Sequence, residues 1–220
     1  MNKVNYLSHN WLAMRINNRA FMKVRKLIKG IVIDMGCGDC QYKQDILKVA
    51  DDYIGVDWPN TRHEIGGVDV WADLTERLPF PDGYADTIIS FQVMEHLNKP
   101  LDFLKECSRI LKSGGRLIIT APFMWGIHEE PYDYYRYTKY GLKHLLQEAG
   151  FTSISVTENA YFWSNWILRF NYHSCRYGRG MLKIFLIPIW FFGQVTAIIL
   201  DKLDKNYSDV ASYTATAVKP

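Results

Sequence analysis

The first groups that could do chemistry lie in the stretch IVIDMGCGDCQYK, which begins at Ile31. It contains a CxxC pair, Cys37 and Cys40, and it places Gly36 and Gly38 directly after an apolar run. Such a stretch is open to three interpretations: a metal site, a redox-active thiol pair, or a glycine turn that holds a nucleotide.

Zinc and redox chemistry both fit this stretch poorly. A structural zinc site needs four ligands, and the other cysteines, Cys107 and Cys175, have no CxxC or HxxxH spacing around them. We therefore expect no metal. A redox CxxC gives no role to the preceding Gly-x-Gly. The glycine turn is favoured, because an apolar strand leads into it and a helix is expected to follow.

Acidic residues around the turn indicate which cofactor it would hold. Asp57 ends a second predicted strand, where a carboxylate can bind ribose hydroxyls. A dinucleotide motif would need a third glycine at the position of Gln41. Asp34 would oppose a pyrophosphate, but it suits a cationic cofactor such as S-adenosylmethionine, which carries a sulfonium and an ammonium group.

Two histidines are candidates for removing a proton from an acceptor. A reaction in which a hydroxyl is the nucleophile needs that hydroxyl aligned and needs a base, and histidine titrates near neutral pH. His96 follows the fourth predicted strand, and His128 follows the fifth, within the run WGIHEEPYDYYRYT. Each could equally hold its loop by hydrogen bonds.

That run is rich in carboxylates and aromatic rings, which suit a polyhydroxylated sugar. The candidate acceptor-binding residues are Glu129, Tyr134, Tyr135 and Arg136. Arg136 could bind an anionic group on the acceptor, or it could pair with Glu130 or Asp133.

The candidate site residues follow predicted strands, so the fold must bring the ends of these strands close together. Short apolar runs rich in Ile and Val predict strands at 31–34, 53–57, 68–71, 87–91, 116–121, 151–156 and 212–219. Helical patterns lie between them, with Pro100 near one helix start, Thr138 as a cap and Gly150 as a stop. This alternation predicts an open, mostly parallel α/β sheet, which binds ligands at the carboxyl ends of its strands.

Composition is that of an ordinary globular protein. The 220 residues are 48% hydrophobic and 22% charged, which allows one sizeable core. Four cysteines do not make a disulfide scaffold and no cleavable signal peptide opens the chain, so we expect a cytoplasmic location. Residues 1–29 form a basic arm without acids, which predicts a helix that either covers the sheet or lies on an anionic surface.

Residues 161–206 break the alternation with an aromatic and then strongly apolar segment. Its uncharged run, Ile184 to Leu200, has 17 residues, fewer than the roughly 20 of a membrane span, and Pro188 weakens a spanning helix further. The basic residues near it are Arg169, Arg176, Arg179 and Lys183. The segment is expected to be a lid, a dimer surface, or a contact with lipid headgroups.

In the order of its motifs the chain resembles the class I S-adenosylmethionine-dependent methyltransferases, in particular the small type-11-like members. The matching segments are Asp34–Asp39, Asp57, Ala72–Leu74, Leu78–Leu97 and Ile110–Pro122. The resemblance implies a Rossmann-like, doubly wound, mostly parallel seven-stranded sheet with an antiparallel last strand and a helical insertion before it. It implies a single domain over 1–220, with a cofactor-binding core at 30–160 and 207–220.

The same resemblance implies a cofactor site. The implied cofactor-binding residues are Asp34, Gly36, Cys37, Gly38, Asp57, Trp58, Asp73, Leu74, Phe91 and Gln92. Asp57 would bind the ribose, Asp73 would accept from the adenine amino group, and Phe91 would line the methyl end with Gln92. Cys40 stands where the family has a third glycine, so its side chain is expected to crowd the turn.

The favoured function is O-methylation of a sugar hydroxyl in a bacterial surface glycan or its lipid-linked precursor. The run around His128 also resembles a segment of methyltransferases linked to surface-polysaccharide assembly. One alternative is methylation of a small lipophilic acceptor such as a quinone precursor. Another is a catalytically silent cofactor-binding subunit that docks a partner. Nucleic acid is not expected, because the chain outside the arm is net acidic. Membrane contact through 1–29 and 181–200, peripheral at the inner membrane face, and a homodimer remain open.

Overall fold

A single seven-stranded sheet organises the structure, a computed structural model that describes residues 5–60 and 66–220. The strands are β1 (Ile31–Met35), β2 (Asp52–Asp57), β3 (Val70–Trp71), β4 (Ala85–Phe91), β5 (Leu111–Pro122), β6 (Thr152–Asn159) and β7 (Ser212–Val218). Their order is β3-β2-β1-β4-β5-β7-β6. Among the described strands, β7 alone runs opposite to the others: it is antiparallel to both of its neighbours, β5 and β6, and the remaining pairs are parallel. The predicted fold class is confirmed.

Six α-helices connect the described strands: α1 (Trp11–Val24), α2 (Lys43–Ile46), α3 (Pro100–Ile110), α4 (Lys139–Glu148), α5 (Phe162–Cys175) and α6 (Met181–Leu203). Pro100 occupies the first turn of α3, where its missing N–H has no helical partner to lose. The Thr138 hydroxyl accepts a hydrogen bond from the Gly141 N–H at 3.0 Å and caps α4. These helix starts are as the sequence predicts.

Helices cover both faces of the sheet. Neighbouring strand residues point to opposite faces, so they pack against different helices. Ile88 packs with α3 and α4 in one buried cluster. Ile89 packs with Phe21 and Val24 of α1 in another. The basic residues Arg15, Arg19, Lys23, Lys26 and Lys29 lie exposed to solvent. The basic arm is therefore a cover helix over its described part; Lys3 lies outside the described residues.

The segment 161–206 forms α5 and α6, which pack on each other and on α1. The Gln194 side chain is fully buried, and its Oε1 accepts from the Leu12 N–H at 3.0 Å. The Asp201 carboxylate accepts from the backbone N–H groups of Trp163 and Ser164, in the first turn of α5. These two buried polar groups hold α6 against the rest of the fold.

Three local predictions are wrong. The helix that follows the glycine turn begins only at Lys43, so its N-terminus does not meet the turn. The sequence Ser113-Gly-Gly predicts the end of α3, but the helix already stops at Ile110. Leu111 is extended and pairs with Ala85, so β5 begins five residues before the predicted position 116. Burial of Leu111 against the sheet outweighs the turn signal.

Candidate active site

A cavity of about 650 Å³ opens at the carboxyl ends of β1, β2 and β4. Strand order reverses between β1 and β4, and open α/β sheets bind ligands at this switch point. The cavity is lined by Gly36, Gly38, Asp39, Asp57, Trp58, Asn60, Asp73, Leu74, Thr75, Gln92, Val93, His96, Leu97, Asn98, Glu129, Tyr132 and Tyr134. The structure thus brings together most of the residues that the sequence singles out, from five separate segments.

The glycine turn needs both of its glycines, for different reasons. Gly36 has φ +76°, and a Cβ there would lie 2.9 Å from Val93 Cγ1. Gly38 has φ +54°, and no protein atom lies within 4 Å of where its Cβ would be. That open space faces the cavity, so Gly38 allows a ligand to approach the backbone closely. The Gly38 N–H donates to Asp57 Oδ2 at 2.7 Å, which ties the turn to the end of β2.

Asp34 and Cys37 lie behind the turn and do not line the cavity. Asp34 is buried and accepts from the Tyr53 hydroxyl at 2.7 Å, and burial raises the pKa of its carboxyl to about 7. Burial also raises the pKa of the Cys37 thiol far above its usual value. Cofactor contact by these two residues stays a prediction; in the structure both support the turn from behind.

Cys40 does not crowd the turn, contrary to expectation. Its side chain is buried and points to Gly55 of β2 and to Gly67, whose carbonyl lies 3.3 Å from the Cys40 sulfur. A Cβ on Gly55 would lie 3.0 Å from the Cys37 sulfur and 3.2 Å from the Cys40 sulfur. The missing side chain of Gly55 therefore makes room for both sulfurs.

Phe91 and Gln92, at the end of β4, are both predicted to line the methyl end of the cofactor, but only one of them faces the cavity. Phe91 points to the α1 face and packs edge-on against Phe21 and Tyr42, so it is not part of the cavity wall. Gln92 lines the cavity with a left-handed φ of 59°, and its amide donates to the Thr120 hydroxyl at 3.0 Å. Glu129, also on the cavity, has φ 55°. Non-glycine residues in this conformation concentrate at functional sites.

The two candidate bases lie against each other, with ring centroids 4.8 Å apart. His96 lines the cavity, and its Nδ1 lies 2.8 Å from the Tyr132 carbonyl oxygen. A carbonyl only accepts, so Nδ1 carries the hydrogen and Nε2 has a free lone pair. His128 lies one layer further back, with Nδ1 3.2 Å from the Gly126 carbonyl. Burial, followed by the neighbouring His96, lowers the pKa of His128, which keeps it neutral at pH 7.

Arg136 is used by the loop rather than offered to an acceptor. Its guanidinium donates to both Asp133 oxygens, at 2.6 and 2.7 Å. Its remaining N–H groups donate to the carbonyls of Trp125, Gly126 and Tyr135. All five N–H donors of an arginine are thereby satisfied. Of the two roles that the sequence leaves open for Arg136, the structure supports pairing with Asp133.

Tyr135 also lies off the cavity, since its hydroxyl donates to the Asn98 carbonyl at 3.3 Å. Glu129 and Tyr134 do line the cavity, together with Tyr132, whose ring meets the Trp58 ring edge-on at 5.1 Å. The acceptor end of the cavity is thus walled by aromatic rings and a carboxylate.

Sequence reasoning missed one buried residue of this region. The Glu95 side chain is fully buried, and neither of its carboxylate oxygens has a hydrogen-bond partner among the described residues. Burial raises its pKa to about 8. The only signal in the sequence is its position directly before His96, after a strand that ends at the cavity.

Residues 33–119 match the family model described as a methyltransferase domain. A probable S-adenosylmethionine-dependent methyltransferase of Mycobacterium tuberculosis is 34% identical over 96 residues, which are 41% of this chain and 35% of that protein. A ubiquinone biosynthesis O-methyltransferase of Acinetobacter baumannii is 21% identical over 132 residues, which are 55% of this chain and 52% of that protein. The chain spans only about a third of the length of the mycobacterial relative.

Solved structures share the fold at low sequence identity. A SAM-dependent methyltransferase from Archaeoglobus fulgidus covers 96% of this chain and 95% of its own, with a TM-score of 0.59 and 19% identity. The cyclase SpnF covers 94% of this chain and 82% of its own, with a TM-score of 0.60 and 22% identity. The fold is therefore that of the class I S-adenosylmethionine-dependent methyltransferases. Residues 33–119 are similar to the methyltransferase-domain family, and the mycobacterial relative in this comparison is named as a probable S-adenosylmethionine-dependent methyltransferase.

The residues present fit that cofactor. Gly38 leaves backbone open towards the cavity, and Asp57 still has lone pairs for ribose hydroxyls beyond its bonds to the Gly38 and Trp58 N–H groups. Asp73 and Leu74 stand at the same cavity, where the predicted adenine contacts would be made.

Proposed function

We propose that this chain transfers a methyl group from S-adenosylmethionine to a hydroxyl oxygen of a small acceptor. The favoured acceptor is a sugar of a bacterial surface glycan or its lipid-linked precursor. One observation carries the proposal: a single cavity joins the glycine turn and Asp57 to His96 and a wall of aromatic rings. The bound cofactor supplies the electrophilic methyl group, and the chain supplies alignment and a place for the proton.

His96 Nε2 is the atom best placed to receive the acceptor's proton. The Tyr132 carbonyl fixes the tautomer that leaves this nitrogen unprotonated. The His96 side chain is only 16% exposed, so water competes little for the nitrogen. The His128 ring packs on it and supports its orientation. His128 is thus a positioning residue in this proposal.

Two acceptor classes suit the cavity wall. Tyr132, Tyr134 and Trp58 offer ring faces, and Glu129 offers a carboxylate, which together suit a polyhydroxylated sugar ring. The similarity to a ubiquinone biosynthesis O-methyltransferase favours a phenolic, lipophilic acceptor as the second candidate. Both would present a hydroxyl oxygen to the methyl group.

An acceptor screen with methyl-labelled S-adenosylmethionine tests the proposal. Nucleotide-linked sugars, lipid-linked sugars and polyprenylated catechols are offered in parallel, and label in the organic product is counted. Label in a sugar supports the favoured acceptor, and label in the catechol supports the second. Cofactor binding without label on any acceptor would support the silent docking subunit instead.

We infer further that the α5–α6 segment is an insertion within the same domain and brings it to a membrane surface. Among the described residues, α6 is the one helix long and apolar enough to cross a membrane by length and composition. It packs inward through Trp190, Gln194, Ala197 and Asp201. Its other sides expose Ile184, Phe185, Phe192 and Leu203, each more than half accessible to solvent. The tie of Gln194 to Leu12 favours lying on a membrane over spanning it.

Charge supports lipid as the partner of this apolar face. Arg176, Arg179 and Lys183 lie at the junction of α5 and α6, where they can meet anionic headgroups. A lipid-linked acceptor would then lie close to the enzyme that uses it. A cytoplasmic location, peripheral at the inner face of the membrane, is part of this proposal. A second copy of the chain covering the same face would instead appear as a dimer in solution.

A further inference from the structure

We propose that Glu95, His96 and His128 form a binding site for a divalent metal ion at the acceptor end of the cavity. One ligand atom from each of the three residues lies within 4.8 Å of the others. The inference rests on the proposed function, because the ion would act on the acceptor oxygen. It also corrects the expectation of no metal, which considered only CxxC and HxxxH spacings.

One of the three ligand pairs already has a distance near that of a loaded site. His96 Nε2 lies 3.9 Å from Glu95 Oε1. Ligands at about 2.1 Å from a tetrahedral ion are roughly 3.4 Å from one another. Small side-chain rotations would therefore bring this pair onto an ion.

His96 has the tautomer that metal binding requires, because its Nδ1 donates to the Tyr132 carbonyl and leaves Nε2 with a lone pair. His128 Nδ1 lies 3.2 Å from the Gly126 carbonyl and 3.4 Å from the Arg136 guanidinium, which only donates. Donation to the nearer carbonyl leaves Nε2 of His128 as a lone-pair donor as well. Metal-binding histidines characteristically donate their second N–H to a carbonyl or carboxylate, which fixes the ring. Asp133 Oδ2, 3.4 Å from His128 Nδ1, adds a carboxylate to this outer layer.

Glu95 is a second, independent indication of a ligand. A fully buried carboxyl group with neither oxygen hydrogen-bonded within the described part of the chain is rare in native structures, whether the group is protonated or charged. The nearest arginine, Arg136, is neutralised by its two bonds to Asp133. A cation between Glu95 and the two histidines would supply the missing partner.

The donor set indicates the kind of ion. Two imidazole nitrogens and one carboxylate are the ligands of catalytic zinc sites, and they also suit manganese, iron and cobalt. Glu129 Oε2 lies 3.8 Å from His96 Nε2 and could add a fourth ligand. A coordination position towards the cavity would remain for the acceptor.

The ion narrows the acceptor class. Coordination lowers the pKa of a hydroxyl, so the acceptor oxygen loses its proton to water. The oxygen–methyl bond then forms as the sulfur–methyl bond breaks, and sulfur keeps the electron pair. An acceptor with two adjacent oxygens can bind through both. The site therefore favours a vicinal diol of a sugar or a catechol. With the ion bound, His96 Nε2 would be a ligand and the acceptor's proton would pass to water; His96 Nε2 receives that proton only in the metal-free site described above.

The test is metal binding by the metal-stripped protein, measured separately from activity. Zn²⁺ is titrated calorimetrically, and Co²⁺ is added while its visible absorption bands are recorded. We expect one equivalent of either ion, with affinity lowered about 100-fold or more in Glu95→Gln and in His128→Ala. His144→Ala, on the exposed side of α4, is the matched control and should bind as the wild type does. Circular dichroism melts verify that each variant is folded.

Folded variants that bind Zn²⁺ like the wild type, or a wild type without Co²⁺ bands, would overturn the proposed site. Titration of the same proteins with S-adenosylhomocysteine separates this failure from that of the proposed function. Retained S-adenosylhomocysteine binding without metal binding would reject the metal site alone. Metal binding without S-adenosylhomocysteine binding would reject the methyltransferase proposal alone.

Discussion

Alanine at Gly36 and alanine at Gly38 should damage this protein in two different ways. Both residues have a left-handed backbone, which costs a residue with a Cβ about 1–2 kcal/mol. At Gly36 the added methyl group would also meet Val93 Cγ1 at 2.9 Å. Overpacking of this kind costs about 1–3 kcal/mol, so Gly36→Ala should lose about 2–5 kcal/mol of folding free energy.

Gly38→Ala should keep most of its stability and lose the cofactor. No protein atom lies within 4 Å of the new methyl group, so only the backbone cost of about 1–2 kcal/mol applies. The methyl group would project towards the cavity, into the space assigned to the cofactor. The same overpacking energy of about 1–3 kcal/mol, applied to the ligand, corresponds to about 5- to 150-fold weaker binding.

Thermal melts and calorimetric titration with S-adenosylhomocysteine, run on both variants, read the two effects separately. For a chain of this size, each kcal/mol lowers the melting temperature by about 2–4 °C. The double variant Gly36→Ala/Val93→Ala removes the clash and should recover part of the lost stability. Wild-type S-adenosylhomocysteine affinity in folded Gly38→Ala would refute the assignment of the turn as the cofactor cradle.

Three further perturbations test other parts of the account. The pKa of Asp34 is about 7 in the fold against its usual 3.8, so between these values the folded state holds a proton that the unfolded state has released. The free energy of unfolding should therefore fall as pH rises from about 4 to about 7, and chemical denaturation of Asp34→Asn should show a flatter profile; equal slopes would contradict the assignment. Asp133→Asn breaks the ion pair with Arg136, in which the Asp133 carboxylate is nearly fully buried, and should lower the free energy of unfolding by about 3 kcal/mol. An unchanged chemical denaturation curve would mean that the loop around His128 does not depend on this pair. Phe185→Ser/Phe192→Ser should reduce cosedimentation with anionic lipid vesicles, while Tyr140→Ser, which changes an even more exposed ring on α4, should not. Wild-type cosedimentation of the double variant would count against membrane contact, and a dimer of the wild type in solution would favour a second copy.

The scaffold could be predicted from sequence because its signals are local. Buried parallel strands leave short runs of Ile and Val, and the helix starts at Pro100 and Thr138 are set by residues within one turn. The glycine turn and Asp57 are equally local, since each lies at the end of a strand. The chain order of these signals was enough to predict the cavity at the strand ends.

The errors arise where a residue's role depends on distant partners. The room for the Cys40 sulfur comes from Gly55 and Gly67, which are far from it in sequence. The side of the sheet that Phe91 faces depends on strand phase, which a one-residue shift reverses. Arg136 donates to Asp133 and to backbone carbonyls of the folded loop, so it does not bind an acceptor.

Glu95 could not be singled out from sequence for the same reason. A glutamate next to a histidine is ordinary in a sequence. The importance of Glu95 lies in its burial without a hydrogen-bond partner among residues 5–60 and 66–220. That state is created by packing of the segment around His128 over the end of β4. The structure alone therefore reveals the cluster at the acceptor end.

The most direct measurement of the central claim is calorimetric titration of the wild type and of Asp57→Asn with S-adenosylhomocysteine. Asparagine keeps the oxygen that accepts from the Gly38 N–H but removes the charge that would hold the ribose hydroxyls. The account predicts one binding site in the wild type and much weaker binding in a variant that melts at nearly the same temperature. Absence of binding in the folded wild type, or equal affinity in both proteins, would contradict it.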